Sequence, residues 1–172
     1  MITFNVKTCS MKNLVFLCLV ALNAAWAQDP EKWQSVSFAS AADYKVNEAT
    51  VLECANFILN VAAEPTNPAR KAALSLLSKW MAGTPDHTFV IGKAIGRLMN
   101  DNEAVLGIYM AAMTKYVLEH STPPDEKDVE LNAFQTLLKY CEDPRNKVPS
   151  TRELKRALKA REKGKLSDYL AS

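Results

Sequence analysis

The sequence predicts an all-α protein of about six helices in three helical hairpins, packed as a compact bundle or a short α-solenoid-like stack. Three observations carry this. Apolar residues recur at i, i+3 and i+4 spacing along most of the chain from Val51 to Leu158. The periodic stretches are bounded by helix-start and helix-stop residues. No stretch alternates convincingly with period two, Trp33 to Phe38 being the nearest to one.

The first helix opens near Asn47, with Val51, Leu52, Ala55, Ile58, Leu59 and Ala62 on one face, and stops at Pro65. Asn67-Pro68 pairs an N-cap with proline at the first helical position, where a missing N–H costs nothing. That second helix carries Ala73, Leu74, Leu77, Trp80 and Met81 and closes at Gly83. Asp86 is the expected cap of a third helix reaching Met99 through Val90, Ile91, Ala94, Ile95 and Leu98, although Thr88 to Ile91 could equally be extended. Asn100-x-x-Glu103 resembles a capping box for a fourth helix ending near His120. This one is apolar nearly all round, from Val105 to Val117, and so belongs at the centre. Pro123-Pro124-Asp125 starts the fifth, with Val129, Ala133, Phe134, Leu137, Leu138 and Cys141 inward and Pro144 as its stop. Ser150-Thr-Arg-Glu153 reads as a capping box for the sixth, which Lys163-Gly164 ends, before a short amphipathic piece at Leu166, Tyr169 and Leu170.

The hairpins open near Asn47, Asp86 and Asp125, so Val51, Val90 and Val129 align, as do Ala55, Ala94 and Ala133, and Leu59, Leu98 and Leu137. A shared ridge of this kind suits stacked helical hairpins. Amphipathic helices of similar spacing align by their stripes in any case.

Residues 1–27 read as a leader and secretory signal peptide, with Met11-Lys12 the better start: a basic opening, an apolar run from Leu14 to Leu22, and the small-x-small ending Ala25-Trp26-Ala27. The apolar run is too short for a bilayer-crossing helix, which needs about 20 residues. Cleavage after Ala27 leaves residues 28–172 as a single helical domain, exported to a periplasmic or extracellular location. The loss of Lys7 and Lys12 leaves 19 basic against 19 acidic residues. The neutral total hides a division: net −6 from Gln28 to Asp143 and net +6 from Pro144 to Ser172. Overall neutrality argues against a general nucleic-acid binder. No cofactor is expected.

At Trp80-Met-Ala-Gly-Thr-Pro85, Tyr109-Met-Ala-Ala-Met-Thr-Lys-Tyr116, Lys139-Tyr-Cys141 and Lys163-Gly-Lys-Leu166 the chain resembles a group of small exported all-helical bacterial proteins of unknown function. The resemblance implies an exported helical domain and no particular activity.

Four features carry candidate chemistry. Cys54 and Cys141, the two cysteines beyond the signal, lie on inward stripes in a compartment that permits oxidation. A bridge would stabilise by on the order of 4 to 5 kcal/mol in the chain-entropy picture, while two buried thiols acting as small hydrophobes are the alternative. His87, His120 and these cysteines lack metal-site spacing, so no metal is expected. Trp80, Thr84, Asp86 and His87 could form a small binding site at a helix junction, or be a cap, a turn and a core tryptophan in succession. Arg152, Lys155, Arg156 and Lys159 crowd one short helix, either to take an unknown acidic protein or anionic envelope component or to pack against the acidic part of the chain. The function expected is therefore a non-catalytic exported module binding a protein or an envelope polymer. The alternative is a small exported hydrolase with a site near Asp86 and His87, completed by a carboxylate such as Glu53 or Glu103.

Overall fold

The computed structural model describes residues 30–100, 102 and 104–172. The expected signal peptide, its cleavage point and Glu103 lie outside the described residues. Within them the chain is all-helical, with no strand. The helices are α1 (Pro30–Ser35), α2 (Ala41–Val46), α3 (Glu48–Asn60), α4 (Pro68–Gly83), α5 (Lys93–Met99), α6 (Ala104–Glu119), α7 (Glu126–Glu142), α8 (Arg152–Glu162) and α9 (Leu166–Ala171).

The most apolar helix is the hub. α6 buries Val105, Ile108, Tyr109, Ala111, Ala112, Met113, Thr114 and Val117, because α3 and α7 pack against it most extensively, with α4 and α5 covering further sides. α3 contributes Val51, Cys54, Ala55, Phe57 and Ile58, and α7 contributes Val129, Ala133, Phe134, Leu137 and Leu138. Trp33 to Phe38, the nearest approach to a strand in the sequence, instead begins as α1, whose Trp33 is buried against Phe57 at 5.1 Å between ring centroids.

Helix ends follow side-chain capping, with corrections to the expected positions. Asn67 accepts the Arg70 N–H and Asp125 accepts the Lys127 N–H, as their sequence signals predict. Asn100 instead continues out of α5 in helical conformation, and the Asn102 side chain takes the Ala104 N–H at the start of α6. For α8 the cap is Thr151, whose hydroxyl accepts the Leu154 N–H at 3.1 Å, one residue later than the expected Ser150. That shift releases Glu153 from capping duty and turns it toward Arg97, 3.2 Å away. Gly164, at φ 66, ends α8: the Lys165 N–H reaches Ala160 O and the Gly164 N–H reaches Arg161 O, the paired bonds of a Schellman motif.

The largest correction is the third predicted helix. Only Lys93–Met99 is helical, and Asp86 caps nothing. Thr88, Val90 and Ile91 are β-branched and follow Pro85, which weakens helix formation, and burial alternates along the segment: His87 and Phe89 turn inward, while Thr88 and Val90 are exposed. Trp80 sets that alternation, since both inward rings pack on it, at 5.5 Å for His87 and 5.8 Å for Phe89. Val90 is 51% and Ile91 52% exposed. The Val51–Val90–Val129 ridge is consequently broken in its second member, while Ala94 and Leu98 keep the second members of the other two alignments buried on α5.

Cys54 and Cys141 are free thiols, as in the second of the two alternatives, and the bridge is not formed. Both helices that carry them pack on α6, which keeps α3 and α7 from sharing a long interface. Burial pushes both thiols up to about 12. No helix of the described residues is long and apolar enough to cross a membrane.

Candidate functional site

Two surfaces deserve the name of candidate site, one built on the non-helical segment after α4 and one on α8. At the first, Trp80 is fully buried with its indole N–H on Tyr44 O at 3.2 Å. It is a platform for His87 and not a contact surface. Thr84 ends α4, its N–H on Trp80 O at 2.9 Å, and its side chain lines no groove described here. Asp86 and His87 do come together. They line a groove of about 470 Å³ with Lys45, Glu48, His120 and Ser121, continuous with a smaller one of about 210 Å³ that runs past Pro123 toward α7.

The groove gathers ionisable groups without wiring them. His87 Nε2 stands 3.6 Å from Glu48 Oε1, too long for a hydrogen bond, and Glu48 is also paired with Lys45 at 3.0 Å. Asp86 and His87, adjacent in sequence, share no hydrogen bond. His120 sits just past the end of α6 with Nδ1 2.6 Å from Tyr116 O, the position where a cation or donor suits the helix C-terminus. Glu53, one of the distant carboxylates considered for a hydrolytic site, is engaged with Lys32 at 2.7 Å, away from the groove. The carboxylate that faces His87 is Glu48, which sequence reasoning missed. Its only signal was its place at the first position of α3. Among the described residues, no three His, Cys, Asp or Glu side chains converge to hold a metal ion.

The second surface is basic. Leu154 and Ala157 face the core, which leaves Arg152, Lys155, Arg156 and Lys159 on the exposed face of α8. Some of the C-terminal positive charge is neutralised: Arg161 pairs with Glu142, Lys147 with Glu64, and Arg145 with Asp143 at 2.6 Å. Arg156 lies 3.7 Å from Glu153, a loose contact. Arg152, Lys155, Lys159, Lys163 and Lys165 have no acidic partner among the described residues. Lys163 follows Lys159 by one helical turn and the Gly164 turn brings Lys165 back beside them, so that with Arg156 the four surround an open depression of about 310 Å³ with Asp168 and Tyr169. Arg156 also stands over the Tyr169 ring at 5.8 Å. Arg152 and Lys155 lie outside this depression. Lys163 belongs to the basic run of this helix, on the same face as Lys159, whereas Lys165 was absent from the expected set because it lies beyond the helix end, and the left-handed Gly164 returns it to the patch.

Arg97 fixes the geometry of this region. Its guanidinium reaches Glu153, donates to Tyr169 O at 2.9 Å and Ser172 O at 3.2 Å, and stacks over the Tyr169 ring at 4.8 Å. The Tyr169 hydroxyl completes the network by donating to Glu153 at 2.9 Å.

No protein family, curated protein or solved structure matches the chain.

Proposed function

We propose that this chain is an exported, non-catalytic helical module that recruits an anionic partner, an acidic protein surface or an anionic envelope polymer, through the basic face of α8. The observation that carries this is the set of five basic side chains without an acidic partner among the described residues, Arg152, Lys155, Lys159, Lys163 and Lys165. Had the basic segment served only to dock on the acidic part of the chain, these charges would be spent in pairs; Arg161–Glu142 and Lys147–Glu64 are the long-range pairs of that kind. The sequence signature of residues 11–27 supports export.

The test is capture of the mature protein on immobilised polyglutamate and on an immobilised polyphosphate, compared with a variant in which Arg152, Lys155, Arg156 and Lys159 are all changed to Gln. Capture on at least one matrix is expected for the parent and lost in the variant, with little change in melting temperature, since exposed pairs contribute only about 0–1 kcal/mol. Unchanged capture with a lowered melting temperature would refute recruitment and leave internal docking as the role.

A second reading, a small hydrolase centred on His87, is favoured by the shared groove and by the Glu48 carboxylate near the imidazole. It lacks an activated nucleophile: no hydroxyl or thiol among the described residues hydrogen-bonds to His87. Hydrolysis of chromogenic esters or phosphoesters that disappears in His87→Gln would establish it over the binding role.

A further inference from the structure

We propose that the cavity between the Thr88–Gly92 segment, Tyr109 and Glu130 binds the ammonium end of a small aliphatic amine. The cavity is separate from the basic face of α8 and measures about 120 Å³. An apolar cavity of about 150 Å³ accommodates benzene, so this one suits a ligand of about five heavy atoms.

Its chemistry is unbalanced in one direction. Tyr109 is fully buried, yet its hydroxyl has no hydrogen-bond partner among the described residues, a state that native interiors seldom leave uncorrected. Glu130, half-buried on α7, lines the same cavity and makes no ion pair or hydrogen bond among the described residues. Burial raises the Glu130 carboxyl above its ordinary range, and the Glu130 charge adds to the burial that raises the Tyr109 phenol. Two oxygen-bearing side chains thus line one cavity, and neither is paired with a cation among the described residues. At the rim, Lys127 is offset by Glu126, so the lining is left with a net negative charge from Glu130.

A primary ammonium supplies what is missing. Its N–H groups can donate to the Glu130 carboxylate and to the Tyr109 oxygen together, and its charge opposes that of Glu130. Val90, Met113 and Val129 give the apolar wall for the alkyl chain. Gly92 makes the arrangement possible: a Cβ there would lie 2.6 Å from Glu130 Oε1, so any larger residue would push the carboxylate aside. Three other buried polar atoms lack partners among the described residues, Trp33 Nε1, Asn102 Nδ2 and Thr114 Oγ1, and none belongs to a residue lining this cavity.

The test is titration of the mature protein with n-butylammonium, n-butanol and butyrate, followed through the methyl resonances of Val90, Met113 and Val129. Saturable binding of n-butylammonium with a Kd in the millimolar range is expected, in keeping with so few heavy atoms. n-Butanol should bind about tenfold more weakly and butyrate more weakly still. Glu130→Gln should weaken n-butylammonium about tenfold and leave n-butanol unchanged, and Tyr109→Phe should weaken n-butylammonium by about threefold. Both variants preserve side-chain shape, and Gly92→Ala offers an independent block through displacement of Glu130. Equal affinity for the amine and the alcohol, indifference to Glu130→Gln in a folded variant, or no saturable shift, as for a cavity holding water alone, would each overturn the proposal.

Discussion

Replacing Arg97 with Met should loosen the C-terminal helices from the bundle while leaving the side chain's apolar stem in place. The guanidinium joins α5 to Glu153 of α8 at 3.2 Å and to the Tyr169 and Ser172 carbonyls of the α9 region at 2.9 and 3.2 Å. A hydrogen bond involving a charged group contributes about 1.5–3 kcal/mol when well buried. Here the Arg97 side chain is 26% and Glu153 17% exposed, so solvent competes and the total for the network is nearer to about 2–3 kcal/mol, including roughly 0.5 kcal/mol from stacking on Tyr169. For a domain of this size that corresponds to a fall in Tm of roughly 6–10 °C. Circular dichroism melting of the parent, Arg97→Met, Glu153→Gln and the double variant forms a cycle whose coupling should be about 1–2 kcal/mol. Amide exchange should show the loss concentrated in α8 and α9. Additivity within about 0.3 kcal/mol, or uniform destabilisation of α3 and α6 instead, would show that Arg97 does not hold the basic unit in place.

Capping makes a sharper pair of tests: Thr151→Ala should cost about 1 kcal/mol, and Ser150→Ala, one residue earlier, should be near neutral in the same melting assay. Gly164→Ala should cost roughly 1 kcal/mol because φ 66 places a Cβ against the following carbonyl, and it should weaken anion capture if the turn brings Lys165 to the patch. A chain of residues 28–172, denatured and unreduced, should titrate with two free thiols. In the native state, with both thiols near 12, the thiolate fraction at pH 8 is on the order of 1 in 10,000; iodoacetamide should therefore modify Cys54 and Cys141 far more slowly than in denaturant, and equal rates would contradict their burial.

The sequence by itself determined the fold class and the hub. The apolar circumference of residues 105–117 left α6 no stable place except the centre, and Asn67, Asp125 and Gly164 set helix ends through local hydrogen bonds that need no distant partner. Tertiary structure decided whatever depended on a distant group. The segment from Thr88 to Ile91 read as helical or extended with equal justice, since four residues carry too little periodicity, and the buried Trp80 ring resolved it by drawing in both His87 and Phe89. Glu153 read as half of a capping box until Arg97, 56 positions away, gave it a stronger partner. The juxtaposition of Tyr109 with Glu130 left no trace in the linear pattern, because both lie on helices whose stripes are explained by packing alone. Pairings set by chain contacts within four or five residues were legible from the residues; those set by the crossing of α5, α6, α7 and α8 required the crossings themselves.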